Sequence, residues 1–142
     1  MATQLKLGSE LRKLVEARLE QTLKGIEGTF NQIMERQDID AVELKEELKN
    51  FEENFNQLSQ KWSLEILYTL FLRKAMGFGK LRKILCVNSR TLSDKLKLLR
   101  KHGYVDRNVD SGPPLRVEYA LTPKGKNTVL LALPLLYYSR AT

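Results

Sequence analysis

Apolar side chains recur at steps of four and three near the start of the chain, at Leu11, Val15, Leu19, Leu23, Ile26, Phe30 and Ile33. That spacing lines one face of a helix and predicts one from about Ser9, which can cap it, to Arg36. Gly25 and Gly28 fall inside this stretch and each costs about 1 kcal/mol relative to Ala, which leaves room for a bend or break near them. The polar segment Gln37 to Asp40 offers Asp38 or Asp40 as the cap of a second helix. Its stripe, Ala41, Leu44, Leu48, Phe51, Phe55, Leu58 and Trp62, holds the three-four spacing over three heptads. An isolated helix with one apolar face is marginal in water, so these stripes need a partner. Two partners are open: the rest of the same chain, or a second copy in a coiled-coil-like contact.

Beyond Trp62 the pattern changes to short elements with strong punctuation. A helix is expected from Trp62 to about Lys74, with Leu64, Ile66, Leu67, Leu70 and Phe71 as its apolar positions, followed by a turn from Met76 to Gly79. A short helix, Lys80 to Leu85, would bury Phe78, Leu81 and Ile84. Asn88 then caps a third helix, Ser89 to His102, that Gly103 stops. Two short helices joined by a tight connection, the second capped and cationic, form the helix-turn-helix plan. Two alternating segments follow, Tyr104 to Val109 and Arg116 to Leu121, with Asp110, Ser111, Gly112, Pro113 and Pro114 between them. They predict a hairpin with Val105, Arg107 and Val109 on one face of the first strand and Val117, Tyr119 and Leu121 on one face of the second. A last helix starts at Thr122 with Pro123 in its first turn and runs toward Tyr138. The expected fold is therefore mainly α with a small β-hairpin wing: a winged helix-turn-helix over 59–142 with an N-terminal helical extension over 1–58.

The third helix can be read face by face. At about 100° per residue, Leu92, Leu96 and Leu99 point inward, leaving Arg90, Asp94, Lys97 and Lys101 outward with Thr91, Ser93 and Lys95 flanking. The outward amino-terminal part of such a helix is what enters a major groove. Arg90 is the expected base reader, because its planar fork matches the two acceptors of guanine. Ser89, Thr91, Ser93, Lys95 and Lys97 suit phosphate or mixed contacts, which set affinity and register. Lys80 and Asp94 complete the set on the helices, and Arg107 and Arg116 flank the wing within reach of the adjacent minor groove or backbone.

Charge sharpens this division. The chain has 142 residues and a formal net charge of +7, which by itself only permits an anionic partner. Residues 1–60 hold 8 Lys/Arg against 12 Asp/Glu, a formal −4, whereas residues 61–142 hold 16 against 5, a formal +11. The basic half is the half with the helix-turn-helix pattern. One cysteine and 4 prolines exclude a disulfide scaffold and a proline-rich tail. No signal-peptide pattern is seen at the start, and the longest apolar run, Val129 to Tyr138, is far short of the roughly 20 residues a spanning helix needs. A cytoplasmic protein without a membrane partner is expected, and the lone Cys86 agrees with a reducing compartment.

The segments Lys61-Trp62-Ser63-Leu64-Glu65-Ile66-Leu67, Phe78-Gly79-Lys80-Leu81-Arg82 and Ser89-Arg90-Thr91-Leu92-Ser93-Asp94-Lys95-Leu96 resemble the HxlR-type winged-helix transcriptional regulators, relatives of the MarR group. So do Gly103-Tyr104-Val105-Asp106-Arg107 and the stretch from Pro113 through Val117-Glu118-Tyr119-Ala120-Leu121-Thr122-Pro123 to Gly125. The resemblance covers residues 60 to about 138 and implies a homodimeric regulator of double-stranded DNA whose helices outside the winged core make the dimer contact. Leu11, Val15, Leu19, Leu48, Phe51, Phe55, Leu130, Leu133 and Tyr137 are the expected dimer residues. Three features depart from the family pattern. Leu115 is an extra residue at the wing tip. The cysteine that many members carry just before Lys-Trp is absent from 54–60, so redox sensing is not carried over, and Cys86 is expected to act as a small packing group. The third is the long acidic extension, for which the family offers no function.

Other chemistry is not encoded. Gly77-Phe78-Gly79-Lys80 lacks the Gly and Ser/Thr of a phosphate loop, where Lys74 and Leu81 stand. One His and one Cys make no zinc set, and His102 suits the carboxyl end of a helix better than a catalytic base. No enzyme activity, cofactor or metal is expected, and a small-molecule effector between extension and core would have no polar constellation to mark it. The alternatives to a specific regulator are an architectural DNA-coating protein and a winged-helix docking module, although a docking module would usually lose the cationic outer face that this helix keeps.

Overall fold

The computed structural model describes residues 2–37 and 40–140, with the side chains of 2–8, 11, 12, 137 and 140 outside the description. Among the described residues six helices and three strands follow in the order α1 (Ala2–Arg36), α2 (Ala41–Ser59), α3 (Ser63–Arg73), β1 (Ala75–Met76), α4 (Phe78–Leu85), α5 (Ser89–Lys101), β2 (Val105–Asp110), β3 (Arg116–Leu121) and α6 (Pro123–Arg140). The chain forms two compact units. One gathers the residues up to Phe51 and those from Pro134 onward, and the other is Glu52–Leu133.

In the first unit α1 is continuous through Gly25 and Gly28. No break interrupts it, since each glycine loses only its roughly 1 kcal/mol of propensity while the helix continues on both sides. Ser9 is likewise not a cap: the helix already includes the turn before it. Asp40 does cap α2, its Oδ1 accepting from the Val42 amide at 3.1 Å; Asp38 lies outside the described residues. Leu23, Ile26, Phe30 and Ile33 on α1, and Leu44, Leu48 and Phe51 on α2, are all exposed.

The second unit holds the core. Ile66, Leu67 and Leu70 from α3, Leu81 from α4, Leu92, Leu96 and Leu99 from α5, and Val105 and Val129 are buried together with Met76, Val87 and Tyr104. Leu58, Trp62, Phe78, Tyr119, Leu121 and Leu133 pack against this cluster. Ile84, expected inside, is 48% exposed, because α4 is a short helix with Leu81 as its only buried residue. The helix also starts two residues earlier than expected, at Phe78.

The sheet has the order β1-β3-β2 and is antiparallel throughout. The hairpin register pairs Val105 with Leu121, Arg107 with Tyr119 and Val109 with Val117, the faces that the alternation predicts. Strand β1 was not expected: Ala75 and Met76 pair with Ala120 and Tyr119, so the segment read as a turn adds an edge to the wing sheet. Two residues are too short a run for any period to show.

Three non-glycine residues sit in the left-handed region, Trp62 (φ 77°), Lys74 (φ 72°) and Cys86 (φ 54°), each at a helix boundary. Such conformations cost of order 1–3 kcal/mol and persist where surrounding structure fixes them. Gly103 adopts φ 81° with no such cost and ends α5 as expected. Gly125 is required for another reason, since a Cβ there would lie 2.1 Å from the Tyr104 carbonyl oxygen.

Candidate nucleic-acid interface

The start of α5 is fixed by its cap. Asn88 has extended backbone and its side-chain oxygen accepts from the Thr91 amide at 2.8 Å, satisfying one of the orphan donors of the first turn. Burial of Leu92, Leu96 and Leu99 then sets the rotation of the helix. Arg90, Asp94, Lys97 and Lys101 are exposed along the opposite face, and Thr91, Ser93 and Lys95 are half-buried at its edges. Ser89 is exposed at the helix start, and Lys80 is exposed in the first turn of α4.

Lys95 has a partner that periodicity does not disclose. Its Nζ donates to Gln60 Oε1 at 2.7 Å, joining α5 to the segment between α2 and α3. The acceptor is a neutral amide, so the contact sets the direction of the ammonium without pairing it with a carboxylate. Gln60 is thus a residue of the site that sequence reading missed; the two are 35 residues apart, and only the tertiary fold brings them together.

The carboxyl end of α5 is tied down on the other side. Thr122 Oγ1 donates to the Gly103 carbonyl and accepts from the Gly125 amide, which makes Thr122 both the cap of α6 and an anchor for the helix stop. Lys124 Nζ donates to the His102 carbonyl at 2.8 Å and lies 4.5 Å from the centre of the Tyr104 ring. Lys124 thus adds a cation to Arg100 and Lys101 at the carboxyl end of α5, with His102 supplying the backbone acceptor.

On the wing, Arg107 and Arg116 are exposed, Arg116 opposite Asp110 in the strand register and Leu115 exposed beside it at the tip. Asp110 Oδ1 accepts from the Gly112 amide at 3.1 Å, closing the turn. Cys86, expected to pack inside, is exposed. It is the left-handed C-cap of α4, and the tight reversal into α5 turns its side chain out, where Sγ donates to the Lys83 carbonyl at 3.5 Å.

Of the expected dimer residues, Val15 and Leu19 are half-buried, Leu48, Phe51, Phe55 and Leu130 are exposed, and Leu133 packs against the core of the winged unit. The side chains of Leu11 and Tyr137 lie outside the described ones. Among the described residues no helix is long and apolar enough to cross a membrane, and no group of His, Cys, Asp or Glu forms a metal cluster.

Known proteins share this arrangement. The chain is 37% identical over 68 residues to YdzF of Bacillus subtilis (strain 168), an uncharacterized HTH-type transcriptional regulator, the match covering 47% of this chain and 62% of that protein. It thus spans about three fifths of the length of that relative. Among solved structures, a transcriptional regulator assigned to the MarR family from Enterococcus faecalis V583 is 30% identical with a TM-score of 0.57, covering 64% of this chain and 82% of that one. The reduced form of the transcriptional regulator YodB from B. subtilis shares the fold at 23% identity and a TM-score of 0.59, covering 63% of this chain and 88% of that one. None of the three is named as an enzyme. The model of the HxlR-like helix-turn-helix family matches residues 57–136, which contain the capped α5, the wing and most of the helix that follows, and with more than half of its length matched the chain belongs to that family.

Proposed function

We propose that this chain is a sequence-specific, DNA-binding transcriptional regulator that acts in the cytoplasm as a homodimer. The observation that carries the reading is the capped α5, with Arg90 and Lys97 exposed on its outer face and the hairpin wing beside it. In use, α5 enters the major groove, Arg90 reads a base edge, and Ser89, Thr91, Ser93, Lys95, Lys97 and Lys80 hold phosphates that fix the register. Asp94 favours an amino group on a base over a phosphate, because a carboxylate only accepts. Arg107 and Arg116 on the wing engage the adjacent backbone or minor groove. The exposed stripes of α1 and α2, and the second half of α6, supply the contact with a second copy. Two copies on one face of a duplex would place half-site centres about 34 to 36 Å apart.

The test is selection of bound fragments from random genomic DNA, followed by gel shifts at low salt. Discrete, pseudo-palindromic sites are expected. Uniform coverage would point to an architectural role, and no binding at low salt would leave a docking module.

A further inference from the structure

The wing ends in a turn whose apolar side chains pack on nothing in the chain. Val109 is 51% and Leu115 69% exposed, and Pro113 and Pro114 beside them are exposed as well. A single surface leucine is ordinary. Here four apolar residues gather at one projecting tip, with no charged residue between Asp110 and Arg116. Tyr119 packs against the core, and Leu115 stands four residues further out, about 13 Å along an extended strand. The prolines fix two φ angles of the turn, and Asp110 Oδ1 accepts from the Gly112 amide at 3.1 Å, so the tip is shaped before any partner arrives.

The strand register gives the two faces of the wing different characters. Asp106 and Asp110 share one face with Glu118 and Arg116. The other face packs Val105, Tyr119 and Leu121 on the core and continues outward as Arg107, Val109 and Val117, without a carboxylate. A minor groove about 6 Å wide is too narrow for two strands about 4.8 Å apart with their side chains, so only the tip of such a hairpin enters it. Leucine and proline are among the side chains that press between base pairs from that groove. We propose that Leu115, backed by Pro114 and Val109, is an apolar wedge that enters the minor groove beside the α5 site, unstacks one base-pair step and bends the duplex toward the major groove. Arg107 and Arg116 hold the flanking phosphates. The proposal rests on the regulator reading and adds to it a means of choosing sequence without a hydrogen bond. A pyrimidine–purine step unstacks most easily and is favoured where the tip lands.

The probe is a duplex drawn from the fragments that the full chain selects, carrying 2-aminopurine in place of each adenine of either strand in turn. Fluorescence of this base rises when its stacking is lost, and a donor and an acceptor dye at the two ends of the same duplex report the bend. Binding should raise fluorescence several-fold at one step outside the bases that α5 covers and shorten the end-to-end distance. Leu115→Ser should abolish both signals and weaken binding several-fold while leaving the salt slope unchanged, because no phosphate contact is lost. Leu115→Met, which keeps an apolar side chain, should retain them. Leu115 is exposed, so urea unfolding of both variants should coincide with that of the parent chain. Selection repeated with Leu115→Ser should lose a pyrimidine–purine step from the recovered sites. Bound duplex with no responsive step, or signals that persist in Leu115→Ser, overturns the wedge and leaves the regulator reading standing. Absence of DNA binding at low salt overturns the regulator reading and the wedge with it.

Discussion

Asn88 and Gly125 show how single residues shape α5 and its surroundings by different means. Asn88 contributes one capping hydrogen bond, so Asn88→Ala should cost about 1 kcal/mol in urea unfolding, with a matching loss of DNA affinity if the first turn of α5 frays. Gly125→Ala pushes a methyl group onto the Tyr104 carbonyl and should cost about 1–3 kcal/mol, read in the same experiment. Among the cations, Arg90→Ala should relax sequence preference, whereas Lys97→Ala should weaken all sequences alike and lower the salt slope by about 0.9. Equal losses on operator and random DNA for Arg90→Ala would show that another residue reads the base. Gln60→Glu separates folding from binding: it turns the Lys95 contact into an ion pair, which should leave unfolding stability unchanged or raised while DNA affinity falls several-fold. If affinity is unchanged, Lys95 is not a phosphate contact.

The elements differ in how clearly the chain announces them. Helix α5 was legible from end to end, because Asn88, three leucines at helical spacing and Gly103 all point to one answer. The β2–β3 hairpin was legible too, with its face assignment, since alternation over six residues on each side favours a register that buries Val105 and packs Leu121 against the core. Strand β1 was not, because Ala75 and Met76 are a strand only by virtue of the β3 edge they meet. The exposure of Cys86 and Ile84 was missed for the same kind of reason. Composition favours both inside, but the rotation of the eight-residue α4 is set by Leu81, and the left-handed cap turns the thiol outward.

At the scale of the whole chain, the exposed stripe of α2 and the uneven charge make the remaining predictions. Phe51→Asp with Phe55→Asp should shift sedimentation toward monomer with little effect on unfolding of the winged unit, because neither side chain is buried in the chain itself. DNA affinity should fall steeply between 50 and 200 mM salt if several of the cations in the basic half meet phosphates. A dimeric variant or a flat salt profile would count against the respective claim. By itself the sequence determined the helix-turn-helix plan, the wing, the inward and outward faces of α5 and the concentration of positive charge after residue 60, because each is a matter of local period, capping or composition. Only the tertiary structure decided that Gln60 meets Lys95, that Thr122 anchors Gly103 and that Gly125 must lack a side chain. These are contacts between residues distant in the chain, and no local pattern encodes which distant surfaces a core will bring together.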